Sequence, residues 1–189
     1  MTDARPVPVK PIIFSGPMVR AILEGRKSQT RRLLKPQPNS GPDGKMVNLG
    51  SGSWGLSDGI LSGEWKLASP GDRLWVREAW AKDGDCPLQY RAGPHVADDA
   101  LGVRWRPSIH MPRWASRITL EVTEVRVQRL QDISEEDARA EGVRGNASGP
   151  WGCEGVIEDF SDLWESIHGP GSWDANPWVA AITFKRIKP

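Results

Sequence analysis

The stretch ITLEVTEVRVQRL, residues 118–130, alternates apolar and polar side chains. Ile118, Leu120 and Val122 fall on one side of an extended chain, and Thr119, Glu121 and Thr123 fall on the other. This is the two-residue period of a strand with one buried face. Other segments read the same way. RLWVREAW (73–80) sets Leu74 and Val76 against Trp75 and Arg77, and WVAAITFKRI (178–187) is a closing strand. PIIF (11–14) and LQYR (88–91) are shorter strands. Helices are fewer. Ser15 is placed to cap one running through Met18, Ala21 and Ile22, with Pro17 in its first turn and Gly25 closing it. Ser134 with Asp137 makes a minimal capping box for a short helix over 135–141, stopped by Gly142. VIEDFSDLWESIH (156–168) carries Ile157, Phe160, Leu163, Trp164 and Ile167 at helical spacing. Residues 1–11 form a Pro-rich extended arm. Residues 35–70 are a long irregular excursion with one hairpin around Trp54 to Trp65, and 82–103 are a second excursion. Prolines 107 and 112 keep 104–117 from being one regular element. There is no βαβ period and no repeat. The pattern predicts one α+β domain over residues 1–189, built on a small, mostly antiparallel sheet or barrel.

The totals bound the class. The chain has 189 residues, 38% hydrophobic and 26% charged, which suits one domain with a substantial core. No apolar run reaches membrane-spanning length, and MTDARPVPVKP has no apolar stretch of the secretory kind. The expectation is a cytoplasmic protein. Two cysteines make no disulfide framework. The net charge is +1, but its distribution is uneven. Residues 1–38 carry eight Lys/Arg against two acids, 104–117 carry four Arg and no acid, and 132–165 carry ten acids against two Arg. Two readings follow. One is a polarised surface whose basic side meets a polyanion, and the other is that the blocks pair with each other inside the molecule. Ten tryptophans stand against one Tyr and three Phe. Most should fill the core, leaving two or three for a ligand site.

Cys86, Cys153, His95, His110 and His168 show no paired ligand spacing, so no metal and no other cofactor is expected. No phosphate-cradling glycine motif or nucleophile elbow is present. Chemistry therefore concentrates on GRKSQTRR (25–32). It reads as a solvated basic turn, as a phosphate grip by Arg26, Arg31 and Arg32, or as a Lys/Thr catalytic pair. In the last case Thr30 needs a base to become a nucleophile. Lys27 is that base if burial and its cationic neighbours lower its pKa. In an ideal strand the two would point to opposite faces, so the pair requires a turn or bulge near Ser28.

The stretches FSGPMVRAILEGRKSQTRR, PGDRLWVRE, RITLEVTEVRVQRLQDISEEDARAEGV and WVAAITFKRI, in that order, resemble the ASCH domain superfamily. That family has a PUA-like β-barrel fold and is associated with RNA. The chain looks most like its longer, Trp-rich versions encoded by phages and prophages. In the same stretches it is similar to small bacterial N4-acetylcytidine amidohydrolases, whose Lys, Thr and Glu align with Lys27, Thr30 and Glu141. The resemblance implies that Thr30 attacks the acyl carbon, Lys27 takes its proton and serves the leaving amine, and Glu141 orients Lys27. The chain departs from those enzymes by insertions near 35–69, 82–116 and 143–177. WRPSIHMPRW (105–114) has no counterpart in them.

Three functions are carried forward. The first is an amidohydrolase acting on an N-acylated cytosine-type nucleoside or nucleotide through Lys27, Thr30 and Glu141. Arg26, Arg31, Arg32, Trp105, His110 and Arg113 would bind its base or phosphate. The second is a non-catalytic RNA-binding module using the basic 20–35 and 104–117 segments, and the third is a ribonuclease on the same fold. No membrane partner is expected, and the oligomeric state is not legible.

Overall fold

In chain order the described residues form β1 (Val9–Ile13), α1 (Gly16–Leu23), β2 (Gln29–Leu33), β3 (Met46–Gly50), β4 (Ser53–Leu56), β5 (Trp65–Lys66), β6 (Arg73–Arg77), β7 (Trp80–Ala81), β8 (Gln89–Tyr90), β9 (Thr119–Arg129), α2 (Glu135–Ala140), α3 (Val156–His168) and β10 (Trp178–Ile187). One-turn 3-10 helices lie at Ser108–His110, Arg113–Ala115 and Leu130–Asp132. The structure is a computed structural model that describes residues 9–38, 46–50, 53–56, 65–82, 87–93, 103–145 and 155–187. Cys86, Cys153, His95 and the apex of the hairpin between Trp54 and Trp65 lie outside the described residues.

The alternating stretch is β9, at the centre of a five-stranded sheet ordered β1-β6-β9-β10-β2. Ile118, Leu120 and Val122 are essentially inaccessible. Beyond Val122 the apolar residues change phase, to Val125 and Val127. The ladder shows why: Val122 faces Phe184 while Glu124 faces Thr183, which leaves Thr123 as the extra residue of a bulge. Both valines then return to the same core. β10 pairs antiparallel with β9 and, on its other side, with β2. β6 pairs antiparallel with the start of β9, and β1 lies parallel to β6.

Each face of the sheet is covered where the sequence is continuously apolar. Leu74, Val76, Leu120, Ile182 and Phe184 meet Val19 and Ile22 of α1 in one cluster. Leu130, Ala138, Phe160, Trp164 and Val179 form another beneath α2 and α3. Trp178 to Ile182 are buried without alternation because β10 supplies both clusters. Burying one such leucine or phenylalanine is worth about 1.5–3 kcal/mol. Trp80, Met111 and Ala115, with Trp75 and Tyr90, make a third, smaller cluster that ties residues 104–117 to the sheet.

The α+β, mostly antiparallel reading holds, with β1–β6 as the one parallel pair of the main sheet. Among the described residues no ladder joins the edge strands β1 and β2. The sheet nonetheless curls enough for Arg32 Nη2, on β2, to donate to the Ile13 carbonyl of β1 at 2.7 Å. Three local expectations change. RLWVREAW is two strands, because Glu78 turns inward at the break and accepts from Arg117 Nε and Nη2, both at 2.9 Å. The first strand begins at Val9, inside the expected arm. Ser15 occupies the N-cap of α1 without a side-chain capping bond, whereas Ser134 Oγ does accept from the Asp137 amide at 3.1 Å. No helix among the described residues is long and apolar enough to cross a membrane.

Candidate active site

GRKSQTRR lies between the end of α1 and β2. Gly25 takes φ 76° and ends the helix, and the amides of Arg26 and Lys27 both return to the Ala21 carbonyl, at 2.9 and 3.1 Å. Residues 26–28 are therefore not strand, so the alternation rule does not separate Lys27 from Thr30. The link is tied on both sides. The Ser28 amide donates to the Ala140 carbonyl, and the Ser28 carbonyl accepts from the Phe184 amide, each at 2.8 Å. This seats the start of β2 against the C-terminus of α2. Glu141 follows α2, and Gly142 then turns the chain with φ 95°. A Cβ on Gly142 would lie 3.2 Å from Ala21 Cβ and 3.3 Å from Lys27 Cβ. The close passage of the two helix ends thus requires the glycine.

Two ionic layers result. Lys27, whose side chain is fully buried, donates from Nζ to Glu141 Oε2 at 2.7 Å and to the Glu141 carbonyl at 2.8 Å. Burial lowers the Lys27 pKa from its ordinary 10.5. Glu141 opposes that shift by charge and hydrogen bond, and Arg32 and Arg31 reinforce it. Arg31, equally buried, donates from Nη1 to Glu141 Oε1 at 3.2 Å and to Gln29 Oε1 at 2.6 Å. Its Nη2 donates to Asp137 Oδ2 at 2.7 Å. Asp137 also accepts from Arg126 Nη2 at 3.0 and 2.9 Å and from Gln29 Nε2 at 3.1 Å. Burial alone would raise the Asp137 pKa, but the Gln29 bond and the charges of Arg31 and Arg126 hold it below its ordinary 3.8. Arg126 also meets Glu124 Oε1 at 3.7 Å, so the three cations Lys27, Arg31 and Arg126 face three carboxylates, Glu124, Asp137 and Glu141, and the cluster balances formally.

Above these layers lies a cavity of about 460 Å³. Thr30, Arg31, Arg32 and Glu141 form its polar wall. Met18 of α1 and Leu163, Trp164 and Ile167 of α3 form an apolar one. Among the described residues the Thr30 hydroxyl makes no hydrogen bond. Lys27 is not in the wall; it stands behind Glu141 and holds that carboxylate from beneath. His168 stacks on Trp164 with ring centroids 4.1 Å apart at the cavity rim. Burial, then Arg32 and Lys35, lower its pKa from 6.5.

Lys27, Thr30, Glu141, Arg31 and Arg32 therefore come together, and the other candidates do not. Arg26 turns away to Glu24 Oε2 at 2.7 Å and to the Gly142 carbonyl at 3.2 Å. Trp105 and His110 line a different cavity, and Arg113 lies over Trp75. Sequence reasoning missed Gln29, Arg126 and Asp137. Gln29 and Arg31 are two apart on one strand and so share a face, a signal that was available. Asp137 presented itself only as a cap partner. The apolar stripe of α3 was read as core, whereas Leu163 and Ile167 line the cavity.

No family model matches the chain, and no curated protein matches it. Among solved structures it is similar to protein EF3133 from Enterococcus faecalis V583, described with family-model DUF984. The TM-score is 0.45 and the identity 10%, over 97% of this chain and 82% of that one. It is also similar to an ASCH domain from Lactobacillus crispatus JV V101, with TM-score 0.44 and 13% identity over 95% of this chain and 79% of that one. At such scores and identities neither likeness assigns this chain to a family or an activity.

Proposed function

We propose that the protein is an ASCH-type amidohydrolase that removes an acyl group from the exocyclic amine of a cytosine-type nucleoside or nucleotide. One observation carries the reading. A buried lysine with a lowered pKa is held by a carboxylate, and that carboxylate shares a cavity wall with an uncommitted threonine hydroxyl. An amide is cleaved by a nucleophile, a base for its proton and a donor for the leaving nitrogen. Thr30 Oγ1 forms the bond to the acyl carbon. The scheme requires Lys27 to give up its proton and its amine to reach past Glu141; it then accepts the hydroxyl proton and returns it to the departing amine as the C–N bond breaks. Water then hydrolyses the Thr30 ester, releasing the carboxylic acid and restoring the hydroxyl. Glu141 positions Lys27 by a charge-assisted bond. Arg32, on the same wall, is the guanidinium nearest solvent and suits an oxyanion or a substrate phosphate. Met18, Leu163 and Ile167 offer an apolar wall to the base or the acyl group.

The test is hydrolysis of N4-acetylcytidine, as nucleoside and as 5′-monophosphate, with released cytidine or CMP followed by chromatography. Wild type should turn over, Thr30→Ala should not, and Lys27→Met should fall by about 10²–10⁴-fold. All three should give the same circular-dichroism spectrum. Turnover retained by folded Thr30→Ala would remove the nucleophile from this scheme.

A further inference from the structure

Among the buried side-chain donors that have no acceptor within the described residues, two belong to residues that line the cavity above Glu141. They are Arg31 Nε and Trp164 Nε1. Buried N–H groups are paired almost throughout folded proteins, so two such donors around one cavity call for a ligand that accepts from them. Both side chains neighbour Phe160. Arg31 Cζ lies 5.7 Å from the Phe160 ring centroid, and the Phe160 and Trp164 centroids are 6.2 Å apart. Phe160 and Trp164 stand one helical turn apart on α3 and share its face. The indole is held in place beforehand: it is 4% exposed, and His168 stacks on it. The charge of Arg31 is already met by Asp137 and Glu141, and Trp164 carries none. The two donors therefore suit a neutral carbonyl oxygen better than a carboxylate or a phosphate.

From these donors we infer that Trp164 is a specificity-determining residue whose indole N–H, with the Arg31 Nε–H, receives the ring carbonyl of the substrate's pyrimidine. The inference rests on the amide-hydrolysis reading of the same cavity and decides which part of that substrate faces α3. Thr30 and Arg31 are successive residues of β2, so their side chains leave the strand on opposite sides. The acyl oxygen stays with the carbon that Thr30 attacks. The ring carbonyl is the strong acceptor remote from that carbon, and it is the one that reaches the Arg31 side. An acylated adenine has no ring carbonyl and would leave both donors unpaired, so the site discriminates against it. α3 falls in the insertion near 143–177, outside the stretches that carry the family resemblance. Because the indole is fixed before binding, little ordering is left for the ligand to impose.

The experiment uses the full chain carrying Thr30→Ala, so that the ligand is held without turnover, and two free bases that differ in the ring carbonyl, N4-acetylcytosine and 4-acetamidopyrimidine. In isothermal titration calorimetry N4-acetylcytosine should bind about tenfold more tightly. Adding Trp164→Phe, which keeps a ring and removes the N–H, should cost N4-acetylcytosine about tenfold and 4-acetamidopyrimidine nothing, with an unchanged circular-dichroism spectrum. Loss of packing alone would weaken both bases alike. In heteronuclear NMR one of the ten indole N–H resonances, the one absent from Trp164→Phe, should move downfield with N4-acetylcytosine and stay in place with 4-acetamidopyrimidine. If Trp164→Phe does not fold, the preference between the bases and that single downfield shift decide the matter. With Thr30 restored, Trp164→Phe should raise KM for N4-acetylcytosine about tenfold and leave kcat within about twofold. Equal affinity for the two bases, no coupling to Trp164, or no binding of N4-acetylcytosine overturns the inference, whatever the wild type hydrolyses. A carbonyl preference coupled to Trp164, in a wild type that hydrolyses neither base, would keep the recognition site and remove the reaction proposed above.

Discussion

Glu141 is where buried charge and the geometry of the two helix ends converge. One oxygen accepts from Lys27 and the other from Arg31, and its own carbonyl takes a second bond from Lys27. Removing that carboxylate would leave two buried cations facing each other, the situation in which a broken buried pair becomes strongly destabilising. Lys27 allows a cleaner experiment. Its folded pKa is below 10.5. Under that lowered value the side chain is charged in both folded and unfolded chains, and the fold carries the burial penalty in full. Between the lowered value and 10.5 the unfolded chain holds a proton that the folded one has released, so stability rises with pH. Urea unfolding of wild type and Lys27→Met across that range should show wild type gaining on the variant as pH increases. A constant difference between them would mean that Lys27 titrates normally in the fold.

At the scale of elements, the site depends on how two short helices end. α1 stops at a glycine and sends Lys27 inward. α2 stops one residue before Glu141, and Gly142 then passes against Ala21 and Lys27. Gly142→Ala combines a left-handed φ of 95° with contacts of 3.2 and 3.3 Å. It should lower stability by about 1–3 kcal/mol in chemical denaturation. Hydrolysis should fall with it, because Glu141 shifts away from Lys27. Unchanged stability would show that the helix ends can separate without strain. Much of this level was readable in advance. The capping pattern at Ser134, the stop at Gly142 and the stripe along α3 all follow from local chemistry, and α3 spans Val156–His168 as its spacing implied. The break in RLWVREAW was not readable. It is made by a buried carboxylate whose partner, Arg117, is 39 residues away.

Across the whole molecule, β10 is the strand on which everything rests. It pairs with β9 on one side and β2 on the other, and it supplies both main hydrophobic clusters. Native-state hydrogen exchange should therefore find the Val179 to Ile182 amides among the last to exchange, near the free energy of global unfolding. The β3–β4 hairpin, where Val47 and Leu49 face solvent, should exchange well before them. The reverse order would place the stability core elsewhere.

Local patterns were enough for most of the strands and the α+β class and drew attention to GRKSQTRR, because periodicity, caps and short motifs act over a few residues, whereas Glu141 was singled out only through the family resemblance. They were not enough to say what each charge does. Arg31 and Arg113 are both arginines in basic stretches of the chain. One ends buried between Glu141 and Asp137, and the other lies open over Trp75. The difference comes from α2 packing against β2, which delivers carboxylates from more than a hundred residues away to the first arginine, while among the described residues none pairs with the second. Pairing depends on distance in space, and the fold sets that distance.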